Sequence, residues 1–546
     1  MSHRSKPGCV EGCIELKKLP LGIQNFREIA EGDYVYVDKT RFIYNLINDA
    51  KYYFLSRPRR FGKSLLLDTI GEAFSGDKEL FKGLWIHGSG YDFVKYPVIR
   101  IDMSNIANET PEILKGSLKD ECNYIAGKEH VSICGDEPSI LFKRLIEALY
   151  DKHSQRVVVL IDEYDKPILD HIDDIKTAGA NRQVMKGFYG LLKSMDKYLR
   201  FSFITGVSKF TKTSIFSGLN NLKDITMAED YANICGIPVE SLDEYFYEHI
   251  ESLKTHKRFM ECGSIRDKIL EWYDGYSWDG ETKLLNPFSL ISFFNLKKFS
   301  GFWYASGSPR FLLDLIKKKP ESYAAIRNTR LSEDMLDSME IDMITIEPML
   351  FQTGYLTVYE TQQTLDDIIY YLGIPNNEVR RAFNLHILAA LAESDNVRTG
   401  QMRLSIDTAL RSGDLQKMLD IMRGFFASIP YNLHVDLEAY YHSLFYTFMS
   451  VLGFDMAVEV SVSKGRVDAV LELDDKVYVI ELKYEKCPPE ASMDTKRKLF
   501  EKTLNEAMEQ INSKGYGAKY QGSGKAVYQA AFAFLGRGDI EMRVER

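Results

Sequence analysis

The most constraining feature of the sequence is the segment Arg57-Pro58-Arg59-Arg60-Phe61-Gly62-Lys63-Ser64. It stands between an apolar run, Tyr52 to Ser56, and a helical pattern, Ser64 to Phe74. A strand, a loop ending in Gly-Lys-Ser and then a helix form the context a phosphate-binding loop requires. Gly62 lets the backbone approach a phosphate closely. The helix N-terminus adds unpaired N–H groups and a partial positive charge. Lys63 is placed to reach the β- and γ-phosphates, and Ser64 to bind Mg²⁺. The expected nucleotide contacts therefore run from Arg57 to Leu65. One residue departs from the usual pattern. The first glycine of such loops, five residues before Gly62, is Arg57 here. That puts the loop's shape in question and offers cationic contacts from Arg57, Arg59 and Arg60 instead. The bland alternative is a basic turn that opens a helix.

A second element answers the loop. Arg156 to Glu163 reads Arg-Val-Val-Val-Leu-Ile-Asp-Glu. An apolar strand tipped by two carboxylates suits a Walker B element. Asp162 would hold Mg²⁺, and Glu163 would orient or activate the attacking water. A buried strand with an acidic end explains the apolar run but not the pair of acids. A later strand, Arg200 to Gly206, ends near Thr205 and Ser208, whose hydroxyls could sense a γ-phosphate. With Pro97 to Met103 the first half alternates strands and helices, which predicts a parallel sheet covered on both faces. Together these features predict nucleotide binding, with ATP the expected ligand.

The chain is too long, at 546 residues, for one core. Several domains are expected. Its N-terminal residues lack the apolar run of a signal peptide, and no apolar cluster approaches the ~20 residues that span a bilayer. Seven cysteines, an odd number without a framework pattern, read as free thiols. A cytoplasmic protein without membrane attachment is the expectation. The formal net charge of −9 disfavours non-specific adhesion to polyanions by the whole chain.

The tail carries a second constellation. From about residue 436 it reads helix, three strands (Met456 to Ser461, Arg466 to Leu473, Lys476 to Tyr484), helix (about Asp494 to Asn512) and strand (Ala526 to Leu535). Side chains alternate along a strand, so Glu481 and Lys483 share a face. If Asp474-Asp475 forms the turn and Leu473 pairs with Lys476, Asp468 falls opposite Glu481. A slip of one residue would break that register. Two opposed carboxylates repel, and a hard divalent cation relieves the repulsion. Lys483 could then align water or stabilise charge on a phosphate. A solvated edge hairpin is the bland alternative, but Val477, Val479 and Ile480 argue that the strand is buried.

Asp468 with Glu481-Leu482-Lys483 resembles the Asp…(Asp/Glu)-x-Lys signature of PD-(D/E)XK nucleases, and the element order is similar to that family's core. Glu438 resembles an additional acid seen in many members, and Gln510 a glutamine found in some branches. The loop Arg57 to Ser64 resembles that of a bacterial group called AAA-ATPase-like proteins, many of which carry a C-terminal PD-(D/E)XK domain. In that group Arg also replaces the first loop glycine. Thr205 to Val207, Phe216 to Asn221, Tyr273 to Trp278 and Phe351 to Thr357 resemble it too. Ser306-Gly307-Ser308-Pro309 resembles a turn that touches nucleotide in related ATPases.

The resemblance implies an α/β chain. A P-loop NTPase domain with a parallel sheet covers 15–300, and a helical or winged-helix-like lid covers 301–395. A helical connector covers 396–430, and a restriction-endonuclease-like PD-(D/E)XK domain 431–546. It implies ATP and Mg²⁺ as cofactors, with Mn²⁺ an alternative in the tail. It also implies a nucleic-acid substrate, DNA before RNA, and allows a homo-oligomer built through the ATPase domain. A nucleotide-dependent switch or scaffold with a non-cleaving, nucleic-acid- or protein-binding tail is the alternative.

Overall fold

The computed structural model describes residues 16–209, 215–216, 219, 221–303, 329–337, 345–383, 396–429, 438–451, 456–462, 465–473, 475–488, 490–516, 520, 524–536 and 538–545. Ser306 to Pro309 therefore lie outside the described residues, as does Asp474. The chain divides into two compact units, Met1–Ser306 with Arg330–Glu378, and Gly307–Thr329 with Val379–Arg546. No helix among the described residues is long and apolar enough to cross a membrane.

The first unit is built on five strands: β1 (Tyr52–Ser56), β2 (Val98–Asp102), β3 (Val157–Asp162), β4 (Leu199–Gly206) and β5 (Lys223–Asp224). They pair in the order β2-β3-β4-β1-β5, every pair parallel. Every residue of β1 and β3 is buried, as expected of interior strands covered on both faces. Parallel neighbours need crossovers. The helices Lys63–Ala73, Pro111–Lys128, Pro138–His153 and Ile175–Ser194 supply them. Local chemistry starts these helices. The Thr110 hydroxyl accepts from Ile113 N ahead of Pro111, and the Asp174 carboxylate accepts from Thr177 N. The Asp174 cap starts its helix well before Gln183, where hydrophobic periodicity alone would begin it.

The parallel sheet was expected; its strand order was not legible. β4 lies between the loop strand β1 and the acidic strand β3. The carboxyl ends of all three thus meet at Ser56, Asp162 and Gly206, where α/β sheets hold ligands. The rest of the unit is mostly helical around a hydrophobic core that includes Leu242, Phe246, Tyr273 and Phe293. It also carries a short pair, β6 (Ile237–Pro238) with β7 (Leu284–Leu285). A three-stranded sheet follows from β8 (Thr329–Ser332), β9 (Thr357–Gln363) and β10 (Ile368–Gly373).

The second unit carries the helices Asn396–Ser412, Leu415–Ser428 and Glu438–Val451. Its mixed sheet contains β11 (Met456–Val462), β12 (Gly465–Glu472), β13 (Lys476–Glu485), β14 (Ala526–Leu535) and β15 (Asp539–Glu545), in that spatial order. Only β13 and β14 run parallel, and the helix Met493–Lys514 is the crossover between them. Ser492 caps its start and Gly515, at φ +61°, ends it. The helix buries Leu504, Ala507, Met508 and Ile511 against Val477, Val479 and Ala531. Elsewhere in the unit, the helix Glu438–Val451 packs Tyr441 on Tyr484 and Phe534 at 4.9 and 5.1 Å. Strand β15 was missed. Ile540, Met542 and Val544 do alternate with polar residues, but the run is short and only three residues of sequence separate it from its hairpin partner β14.

Two candidate active sites

Gly62, at φ +94°, closes the loop after β1 and caps the helix Lys63–Ala73. The loop is braced by residues far along the chain. Lys63 Nζ donates to Arg57 O and Pro58 O, each at 2.9 Å. Trp303 Nε1 donates to Arg59 O at 3.1 Å. Gly236 N donates to Phe61 O at 3.2 Å. Engaging these carbonyls reduces their repulsion of an incoming anion. Phe61 is buried, edge-on to Tyr276 and Trp278. Gly236, at φ +85°, must be glycine here, because a Cβ would sit 2.5 Å from the Phe61 ring. Gly354, at φ +90°, presses on Pro58, where a Cβ would come within 2.8 Å. Two of the segments singled out in sequence, Tyr273 to Trp278 and Phe351 to Thr357, thus hold the loop from outside. Of Phe216 to Asn221, only Phe216, Leu219 and Asn221 are described.

A hollow of about 410 Å³ opens in front of the loop. Gly62, Lys63, Ser64, Leu65 and Glu163 line one part, and Leu21 to Gln24, Pro287, Phe288 and Ile291 another. Burial holds the Lys63 ammonium below its usual pKa, against the pull of Asp162, Glu163 and Asp165. Asp162 Oδ1 accepts from Glu163 N at 3.0 Å and from the Thr205 hydroxyl. Glu163 takes a left-handed backbone, φ +51°, a strained geometry that clusters at functional sites. Burial pushes its carboxyl up.

Two expectations change at this site. Arg57 does not extend toward a phosphate. Its guanidinium is fully buried, donates to Ser56 O, Thr226 O and Tyr231 O, and lies 4.0 Å from the Trp278 ring centre. An aromatic face and carbonyls solvate the cation in place of water. Ser208 is likewise committed: its hydroxyl and N–H both donate to Asp165. The Thr205 hydroxyl donates to Asp162.

The brace on the loop contains a titratable group. The fully buried Glu378 accepts from Phe302 N and from Trp303 N, at 2.5 and 2.8 Å. Burial lifts its carboxyl to about 7, partly offset by Ser289 and those N–H groups. The folded state therefore holds a proton that the unfolded chain releases above about pH 4.3. Stability from this group is complete below that pH and is lost as pH rises to about 7. Thermal unfolding at pH 5 and pH 8 is expected to show this loss in the wild type and to show it flattened in Glu378→Gln. Equal pH slopes for the two proteins would refute the assignment.

In the second unit, Leu473 N donates to Lys476 O at 2.7 Å. The pairing runs through Glu472↔Val477, Leu471↔Tyr478 and Val470↔Val479 to Ala469↔Ile480. The next step of that register brings Asp468 opposite Glu481. There the ladder ends, and Asp468 Oδ2 accepts from Leu482 N at 2.8 Å. Glu481 is 0% exposed. Its Oε1 accepts from Lys483 Nζ at 3.0 Å, and its buried Oε2 has no hydrogen-bond partner among the described residues. Burial and the Asp468 charge raise the Glu481 carboxyl, against Lys483. Burial lowers Lys483, but Glu481, Asp468 and Glu438 outweigh it and the ammonium is held above its usual value. Glu438 Oε1 stands 3.8 Å from Lys483 Nζ. Gln510 lies on the crossover helix Met493–Lys514 between β13 and β14.

An orphaned carboxylate oxygen beside a second carboxylate suits a hard cation. Among the described residues, no group of three or more His, Cys, Asp and Glu forms a ready cage. Mg²⁺ needs none, because it keeps waters and shares substrate phosphates with one or two carboxylates.

A family model described as "Predicted AAA-ATPase" matches residues 20–216. The model of the PD-(D/E)XK nuclease superfamily matches residues 436–543. An "Uncharacterized protein in vnfD 5'region" of Azotobacter chroococcum mcd 1 is 35% identical over 527 residues, 95% of this chain and 96% of the relative. The chain is an AAA-ATPase-like protein with a C-terminal PD-(D/E)XK nuclease-superfamily domain.

Sequence reasoning passed over one residue in each domain. In the AAA-ATPase-like domain it is Asp165, fully buried, which ties the end of β4 through Val207 N and Ser208 N. In the nuclease-superfamily domain it is His442. Its Nε2 donates to Leu482 O at 3.0 Å and stands 3.5 Å from Glu438 and 3.9 Å from Asp468. Glu438 and His442 are four apart on one helix, so they share a face. That spacing was the available signal.

Proposed function

We propose that this protein binds and hydrolyses ATP in the N-terminal hollow and that its C-terminal domain is a Mg²⁺-dependent nuclease, with DNA as substrate before RNA. The observation that carries the nuclease reading is the Glu481 carboxylate, which is fully buried beside Asp468 with one oxygen unpartnered among the described residues. Asp468 and Glu481 would hold the ion, which supplies Lewis acidity and an activated water when bound. Lys483, 3.0 Å from Glu481, is placed to meet charge developing on a phosphate. In the hollow, Ser64 and Asp162 would hold the nucleotide's Mg²⁺, and Glu163 would orient water. ATP binding or turnover gates the nuclease in this reading, in a cytoplasmic protein free to self-associate through its ATPase domain. Purified protein with Mg²⁺ or Mn²⁺ is expected to cut DNA or RNA, and EDTA to stop it. No cleavage with either ion, together with no metal uptake by calorimetry, would sink the nuclease reading and leave a nucleotide-dependent scaffold.

A further inference from the structure

We propose that Arg59 is a catalytic residue of ATP hydrolysis. It would act from within the loop on the phosphoryl group being transferred, so that no arginine from a second copy of the chain is needed. The inference rests on the reading of the hollow as an ATPase site.

Phosphoryl transfer gathers negative charge, and an arginine that meets this charge is a recurrent requirement of such sites. The loop carries three arginines, and the structure gives each a different fate. Arg57 is buried under Trp278 and bonded to carbonyls. Arg60 takes a left-handed backbone, φ +64°, and its guanidinium lies 4.8 Å from the Phe288 ring centre. Arg59 is exposed, lines the same hollow as Lys63, Ser64 and Glu163, and has no ion pair among the described residues. Lys166 also lines the hollow, but it is paired with Asp170 at 2.9 Å.

Arg59 also stands in a fixed place. Pro58 precedes it and packs against Gly354. Its own carbonyl is held by Trp303. The backbone is thus clamped while the side chain stays free to follow a phosphate, an arrangement that favours pre-positioning. Arg59 and Glu163 line the same hollow, so a phosphate held there lies within the reach of both.

The chemistry balances as ATP plus water giving ADP plus inorganic phosphate. The water oxygen bonds to the γ-phosphorus. The bond from that phosphorus to the β–γ bridging oxygen breaks, and its electron pair leaves on ADP. The water's proton passes to the Glu163 carboxylate and on to solvent. Arg59 donates to γ-phosphoryl oxygens as their charge develops.

The test compares Arg59→Ala and Arg59→Lys with the full-length wild type. Arg59→Ala is expected to lower kcat by roughly a thousandfold, at the low end of what an arginine finger supplies. ATP affinity should change by less than about tenfold. Arg59→Lys should recover part of the rate, because it keeps charge but loses the fork. ADP with aluminium fluoride should bind the wild type far more tightly than Arg59→Ala. Mixing Arg59→Ala with Lys63→Ala should restore nothing. Restored turnover in that mixture means the arginine acts in trans and overturns the proposal. A kcat for Arg59→Ala within about threefold of wild type overturns it too, as does a loss confined to ATP affinity. All three outcomes leave the ATPase reading standing. A wild type that binds ATP without turning it over removes the hydrolysis reading and this inference together.

Discussion

Glu481→Gln is expected to lower nucleic-acid cleavage by at least about a hundredfold, the scale seen when one preorganised charge-stabilising group is lost. Gln keeps a carbonyl oxygen that can accept from Lys483, now 3.0 Å from Oε1. It removes the negative charge that would hold the cation. The fold should not suffer. Glu481 is fully buried, one of its oxygens lacks a partner among the described residues, and burial with Asp468 already disfavours its ionised form. A neutral amide relieves part of that cost. Metal-free Glu481→Gln should therefore unfold at the wild-type temperature or above it, while cleavage collapses. Loss of activity with a lower unfolding temperature would point to a packing role. A decrease of less than about tenfold would mean that the wrong carboxylate has been assigned.

The register behind that prediction was readable because it is local. One turn between β12 and β13 fixes every pair back to Ala469↔Ile480, and burial of Val477 and Val479 forbids a slip. The loop strand, the acidic strand and the helix after Gly62 were readable for the same reason: each is a continuous run with its own period. What escaped depends on distant partners. Arg57 reads as a phosphate contact until Trp278, remote in sequence, is seen to cover it. His442 stands out only once the Leu482 carbonyl is seen to accept from its ring. The insertion of β4 between β1 and β3 has no local signature, since these three strands are alike in being almost wholly buried. The bracing of the loop by Gly354 and Trp303 is likewise visible only once the chain has closed on itself.

Lys63→Ala is expected to weaken ATP binding by at least about a hundredfold. Two charge-assisted hydrogen bonds at about 1.5 kcal/mol each give about 3 kcal/mol, which is that factor. In the structure the Lys63 ammonium bridges Arg57 O and Pro58 O inside the loop. Burial lowers its pKa, so the cation is poorly solvated and ready to exchange carbonyls for phosphate oxygens. Alanine removes that charge and also deprives two carbonyls of the loop of the ammonium that bridges them, which adds repulsion to the lost attraction. Calorimetric titration with ATP checks the expectation, and an affinity within about threefold of wild type would exclude Lys63 as a phosphate ligand. The same variant separates the two sites. Its Asp468, Glu481 and Lys483 are untouched, so metal uptake by the tail should persist. If ATP gates cleavage, the variant should cut at one fixed rate with or without ATP, while the wild type responds to the nucleotide. A wild type indifferent to ATP would mean that the two activities share a chain without sharing control.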